Sequence, residues 1–198
     1  MPAPICQLRL GFCICIALTA TALVGTACFQ IRPVEPPSRS VSDWITPTDY
    51  EILLQNLRTA IAQGNTQNYL RCFQADSLDF EPVASVFNSN ESVWLNWSVQ
   101  DEQAYFDNVL ANLATPGGNS LILIEQDIQG RTADSVRYVG EYTLRINHRD
   151  TTLTTLFRGQ VQFLMKINTF NEWEIHRWTD IELYPDSTWS KLKLRYSQ

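Results

Sequence analysis

The chain has 198 residues, 44% of them hydrophobic, and a formal net charge of −6. That length suits one domain plus a leader, and the acidic balance argues against the cationic surface needed to grip a phosphate backbone, so no nucleic-acid partner is expected. The sequence holds no metal-finger spacing, no glycine-rich phosphate loop and no Gly-x-Ser-x-Gly elbow, and neither a metal nor another cofactor is expected.

Arg9 precedes an apolar run from Leu10 to Val24, of signal-peptide length and shorter than a typical membrane span. Gly25-Thr26-Ala27 then sets small residues before Cys28. This stretch resembles a lipobox, the signal after which a bacterial lipoprotein carries its diacylglyceryl cysteine, with one departure: Gly25 stands where Leu is usual. Residues 1–27 are therefore expected to be a lipoprotein signal peptide and Cys28 the lipidated residue. Ordinary signal-peptidase cleavage and a retained membrane anchor are the alternatives. Residues 28–43 hold Pro33, Pro36 and Pro37 among serines and read as an extended tether. Phe29 and Gln30 follow the cysteine with no Asp of the kind that retains some lipoproteins in the inner membrane, so the expected location is the bacterial cell envelope, at the outer membrane. Of the remaining cysteines only Cys72 lies in the domain, so it has no internal disulfide partner. A small buried hydrophobe is the plain reading of it.

The domain is read as residues 44–198. Thr46 caps a first helix, with Leu53, Leu57, Ala60 and Ile61 on one face. Gly64-Asn65 ends it, and Thr66 caps a second helix with Tyr69, Leu70 and Phe73 as its apolar stripe. Leu78 to Phe87 reads as extended. Ser98, with Asp101 three residues on, caps a third helix whose buried stripe is Phe106, Val109, Leu110 and Leu113, and Thr115-Pro116-Gly117-Gly118 breaks it. Strands follow: Leu121 to Gln129, the alternating run from Val136 to Ile146, a third from Leu153 to Ile167, and a fourth from Trp173 to Tyr184. Beyond Pro185, Leu192, Leu194 and Tyr196 alternate with Lys191, Lys193 and Arg195, which predicts a short edge strand as a C-terminal extension, its cations discouraging pairing with other chains. Helices first and then an antiparallel meander give an α+β domain.

Two helices, a short strand, a third helix and a long curved sheet is the element order of the nuclear-transport-factor-2-like superfamily, a cystatin-like cone that includes ketosteroid isomerase, SnoaL-like cyclases and scytalone dehydratase. The chain resembles it locally in Ala75-Asp76-Ser77-Leu78-Asp79-Phe80-Glu81-Pro82 and in Trp173-Glu174-Ile175-His176-Arg177-Trp178-Thr179-Asp180, a W-x-I-x-x-W-x-D ending. The resemblance implies a curved antiparallel sheet wrapped around three N-terminal helices. It also implies a ligand-holding mouth, lined here by Phe106, Leu110, Tyr142, Phe157, Phe163 and Trp178, unless these side chains fill the cone themselves. In ketosteroid isomerase a carboxylate before a proline in the matching segment abstracts the proton. Glu81 takes that place with one methylene more than the family's Asp, and is the candidate general base. Tyr50 or Tyr69 could supply an oxyanion donor, but the inner strand faces show no evident acid partner.

The other chemical residues say less. His148 falls in a polar turn and is expected to be exposed. His176 is expected on the solvent face with Glu174 and Glu182, too far along a strand from Asp180 for a relay, and the two histidines make no metal site. Trp94 and Trp97 read as a lid over the cone or as an exposed aromatic patch. Two functions stand. One is a non-enzymatic envelope domain, anchored to the membrane through Cys28, that binds a small apolar ligand or a protein partner, with a homodimer left open. The other is an isomerase- or dehydratase-type enzyme using Glu81.

Overall fold

A computed structural model describes residues 43–76 and 78–197. The leader, Cys28 and the tether up to residue 42 lie outside the described residues. The elements in chain order are α1 (Tyr50–Gln63), α2 (Thr66–Leu70), β1 (Asp79–Glu81), α3 (Ala84–Ser89), α4 (Glu91–Trp94), α5 (Val99–Ala111), β2 (Ser120–Gln129), β3 (Ser135–Arg145), β4 (Leu156–Ile167), β5 (Trp173–Ile181) and α6 (Trp189–Tyr196). The α+β expectation holds. One five-stranded sheet runs β1-β5-β4-β3-β2, antiparallel from β2 to β5, with β1 added in parallel beside β5.

Local chemistry sets most boundaries. Asp49, not Thr46, caps α1, accepting from the Glu51 N–H at 3.4 Å. Gly64 ends that helix at φ +64°, a left-handed turn that glycine adopts without strain. Asn65, not Thr66, caps α2 through its side chain. The capping box of Ser98 and Asp101 starts α5 as the spacing predicts. The expected extended run from Leu78 to Phe87 is shorter. β1 stops at Glu81 because Pro82 has no N–H for the ladder, and the chain turns into α3 and α4, which bury Val86 and Trp94.

Two irregularities bend the sheet. β2 shifts register against β3 between Glu125 and Asp127. β5 shifts against β4, so that Arg177 faces Leu164 while Ile175 faces Met165. His176 is the extra residue of this bulge. A bulge bends and twists its strand, and the concave face then wraps the buried faces of α1, α2 and α5. Leu53, Leu57, Ala60, Ile61, Tyr69, Phe106 and Val109 meet Val136, Leu144, Phe157, Val161, Phe163 and Trp178 there, all essentially inaccessible to water.

The C-terminal extension corrects the sequence reading: it is a helix, not an edge strand. Thr188 caps α6, accepting from the Lys191 N–H, and Trp189, Leu192, Lys193 and Tyr196 are buried. Their spacing is i, i+3, i+4, i+7, one face of a helix. Reading Lys193 as a wet-face residue is what made the two-residue period look better. The structure puts its charge inside. Lys193 and Arg195 in the last turn also suit the negative end of the helix dipole.

α6 packs against α3, α5 and β4, so it should behave as part of the core. Leu192, fully buried, gives a direct measure: Leu192→Ala should lower stability in urea by about 2–5 kcal/mol. Backbone amides in the second half of α6 should exchange as slowly as those of β4, and fast exchange there would contradict the docked helix.

Candidate functional site

The site lies inside the cone, where α6 closes it. Its first part depends on the β5 bulge. Trp173 and Ile175 point into the core, and after the extra residue Trp178 and Asp180 do so as well. Without that residue Asp180 would share the face of His176. Asp180 is buried and accepts from the Tyr142 O–H at 2.9 Å, the Ser190 N–H at 2.7 Å and the Ser190 O–H at 2.5 Å. The Tyr142 oxygen in turn accepts from the Trp189 N–H at 2.7 Å. The start of α6 is thus held on a carboxylate at the end of the sheet. Tyr142 reaches it by lying across its cross-strand neighbour Gly159. A Cβ there would stand 2.7 Å from the Tyr142 oxygen.

The second part is an ion pair. Glu102 and Lys193 both have zero accessible side-chain surface, and their charged groups meet. The Tyr69 O–H donates to Glu102 Oε1, while the Trp97 indole N–H donates to Oε2 at 2.8 Å and Lys193 shares that oxygen. Around the ammonium stand four rings, with centroids at 3.7 Å for Trp178, 4.0 Å for Phe80, and 5.4 Å for both Trp97 and Tyr105. Ring faces attract a cation within about 6 Å. Trp189 packs edge-on against Trp178 at 4.5 Å and donates its indole N–H to the Tyr105 oxygen at 3.0 Å.

Burial sets the titration of these groups. It pushes Lys193 down to about 8, with Glu102 opposing. It pushes Asp180 up, against the Ser190 hydrogen bonds. It raises Tyr69, Tyr105 and Tyr142 well above their ordinary value, and the nearby carboxylates add to the shift.

The sequence-predicted residues divide accordingly. Phe106, Tyr142, Phe157, Phe163 and Trp178 do point into the cone, but they pack on one another and on α6. Phe106 stacks on Tyr69 at 4.1 Å, Phe163 meets Trp178 at 5.5 Å, and Tyr142 meets Trp189 at 5.5 Å. Leu110 turns away toward the α1–α2 corner, where its Cδ2 would be 3.0 Å from a Cβ at Gly64. Trp94 and Trp97 are buried in a cluster with Phe80, as a lid rather than an exposed patch. Tyr69 is a donor, though toward Glu102. Tyr50 packs against Trp173.

Glu81 lies outside the cone. It is exposed, accepts from the Thr179 O–H at 2.9 Å, and lines an open surface cleft of about 490 Å³ with Asp79, Pro82, Phe87 and Arg177. The expectation of an exposed His148 is overturned. It is 5% exposed, its Nε2 lies 2.9 Å from the Thr154 carbonyl, and its ring sits between Phe157 and Tyr196. The helix at the C-terminus covers the turn that carries it. His176 points outward as expected, 3.1 Å from Glu174, and burial lowers its pKa against that carboxylate. Cys72 is buried, and burial raises its thiol far above the ordinary value.

Three residues of the site escaped the sequence reading: Glu102, Asp180 and Lys193. Each had a signal. Glu102 falls one turn before Phe106 on the α5 stripe, and Lys193 falls one turn after Trp189 on α6. The three-residue gap from Ile175 to Trp178, in a strand that otherwise alternates by two, marks the bulge that turns Asp180 inward.

No family model matches the sequence, and no curated protein matches it. Solved structures do match its fold. A proposed aromatic ring hydroxylase from Novosphingobium aromaticivorans aligns with a TM-score of 0.53 at 16% identity, covering 77% of this chain and 97% of that one. A conserved protein from Planctomyces limnophilus aligns at 0.51 and 10% identity, covering 66% and 90%. A ketosteroid isomerase-like protein from Erwinia carotovora aligns at 0.48 and 11% identity, covering 68% and 94%, and nuclear-transport-factor-2-like proteins are also among the neighbours. At these identities the likeness concerns the fold alone, an α+β domain whose helices pack on one face of a curved five-stranded sheet.

Two predictions follow from the buried pair. Glu102→Leu and Lys193→Met should each cost about 3–5 kcal/mol, because each strands one charge, while the double variant should recover most of the loss. Additive losses in a double-mutant cycle would contradict the pairing. The second is a pH effect. Between about pH 8 and the tyrosine range near 10, the unfolded chain holds a proton on Lys193 that the folded chain releases. The unfolded state then binds more protons, so this group adds stability as pH rises, at most about 1.4 kcal/mol per unit. Cys72, whose thiol burial keeps protonated, opposes this gain in the wild type and in Lys193→Met alike, so in urea titrations at several pH values the stability of the wild type relative to Lys193→Met should rise across this window.

Proposed function

We propose that this is a lipid-anchored protein of the bacterial envelope whose cone-shaped domain binds a ligand or partner without catalysing a reaction. The observation that carries the non-catalytic reading is the closure of the cone. The buried carboxylates inside it are committed, Glu102 to Tyr69, Trp97 and Lys193, and Asp180 to Tyr142 and Ser190. A general base needs a reacting atom within hydrogen-bond reach and a site that excludes water around it. Glu81, the residue that the family resemblance favours for that role, stands in an open cleft outside the cone, engaged by Thr179.

The anchor reading rests on sequence. Arg9, the apolar run to Val24, the small residues at 25–27 and the proline-rich segment after Cys28 fit a lipoprotein leader and tether. No helix among the described residues is long and apolar enough to cross a membrane. In this reading the lipid on Cys28 holds the domain at the bilayer. Two or three acyl chains on one cysteine make stable attachment. The absence of Asp after Cys28 favours the outer membrane.

Metabolic labelling with a fatty acid should mark the wild type and not Cys28→Ala, and the variant should move from the membrane to the soluble fraction. An unlabelled wild type would refute the anchor. Glu81→Gln should fold normally and leave the function of the protein in its host unchanged. A proton-transfer activity that fell by orders of magnitude in Glu81→Gln would replace the binding reading with the enzymatic one.

A further inference from the structure

We propose that the interior of the cone is a binding site for a primary alkylammonium group, and that this chain fills the site with its own Lys193. The proposal goes beyond the binding reading above: it concerns the chemistry of the closed interior, which a free ligand enters only where Lys193 is absent.

The first support is where the parts come from. The cage belongs to the body of the domain: Phe80 on β1, Trp97 before α5, Glu102 and Tyr105 on α5, and Trp178 on β5. Only the cation comes from α6, the last element of the chain. The carboxylate is also oriented without it. Tyr69 and Trp97 donate to the two oxygens of Glu102, and neither contact involves α6. A carboxylate fixed in this way beneath several ring faces is a preorganised receptor for an ammonium.

The second support is energetic. A buried ion pair is a poor means of stabilising a core, since apolar side chains of similar volume are often neutral or better. Leu192 and Trp189 already supply the apolar docking of α6. Net stability therefore gives little reason for a lysine at this position, and its ammonium fits the cage that the body of the domain supplies.

Distances narrow the ligand class. The Lys193 nitrogen stands 3.7 Å and 4.0 Å from the centroids of Trp178 and Phe80. Non-bonded heavy atoms touch at about 3.5–4.0 Å, so at these centroid distances the nitrogen already lies against both ring faces. N-methyl groups would have to push the rings apart, and a quaternary nitrogen would lose the hydrogen bond to Glu102. The geometry fits a primary ammonium on an unbranched alkyl stem.

Chemical complementation tests this in the full chain. Lys193→Ala removes a group equivalent to n-propylammonium. The thermal midpoint of the variant is followed against n-propylammonium chloride at constant ionic strength, with 1-propanol as the neutral isostere and propyltrimethylammonium as the bulky cation. The expected result is a saturable rise with n-propylammonium alone. The wild type should not respond, because its tethered lysine holds the site at high effective concentration. Adding Glu102→Gln to Lys193→Ala should weaken the response at least about tenfold. Should Lys193→Ala not fold unaided, recovery of native tryptophan fluorescence on refolding with each compound replaces the midpoint. Recovery with the amine and not with 1-propanol supports the site. No response to the amine, an equal response to 1-propanol, or an undiminished response with Glu102→Gln overturns it. The titration does not involve Cys28, so its failure would leave the labelling result standing.

Discussion

The contact between Glu102 and Lys193 is the constraint to which the rest of the domain is fitted. Two charges with no exposed surface cannot be left to one Coulombic contact, because removing each from water costs several kcal/mol. The surroundings answer that cost group by group. Tyr69 and Trp97 donate to the carboxylate, and Trp178 and Phe80 turn their faces to the ammonium. Those residues come from α2, the lead into α5, β5 and β1. The pair therefore ties the helical layer, the inner sheet face and the C-terminal helix to one point. Placing the charge on α6 also dictates the depth of that helix, since the lysine stem must bring its nitrogen to the carboxylate.

Asp180 provides the second point, and the two together orient α6. Its carboxylate takes the Ser190 N–H and hydroxyl, while Tyr142 bridges it to the Trp189 N–H. An acid at a helix start suits both the unsatisfied N–H groups and the helix dipole. The Ser190 oxygen also accepts from the Val83 N–H at 3.1 Å, which links the same knot to the turn after β1. Glycine at 159 is needed for this arrangement, because any side chain there would displace the tyrosine that spans it. The interior is here shut by a helix with dedicated polar contacts, and Glu81 lies outside it.

Most of the architecture was legible in the sequence because its signals are local. The Ser98–Asp101 box, the left-handed Gly64 and the alternation in β3 and β4 each act within a few residues. The interior site was less legible because its members are charged residues at apolar positions. Lys193 interrupts the stripe of α6, so the tail looked like a strand. Glu102 opens the stripe of α5, where a carboxylate does not stand out as part of an apolar face. Asp180 faces inward only through the bulge at His176, and a strict two-residue period puts it on the wrong face. His148 failed for another reason: the turn that holds it is polar, as read, but Phe157 and Tyr196 enclose the ring. Such burial depends on a distant segment, which local pattern does not reveal.

The helical tail also accounts for three cations at the end of an acidic chain. As a strand, Lys191, Lys193 and Arg195 would share one face and repel one another. As a helix they separate. Lys191 pairs with Asp186, Arg195 reaches Asp150 at 2.6 Å, and Lys193 goes inward to Glu102. The two outer pairs are partly solvated and contribute little to stability on their own, yet each places a cation beside an acid just outside the helix. Edge protection must then come from elsewhere, since α6 is not at the sheet edge. β2 is the longer of the two edge strands. Its outward Ile122 and Ile124 are exposed, but the register shift between Glu125 and Asp127 distorts the far half of the strand and sets acidic side chains along it. A distorted, charged edge is a poor template for pairing with another strand. The sheet thus manages its edge with a bulge, and the basic tail is left to close the cone.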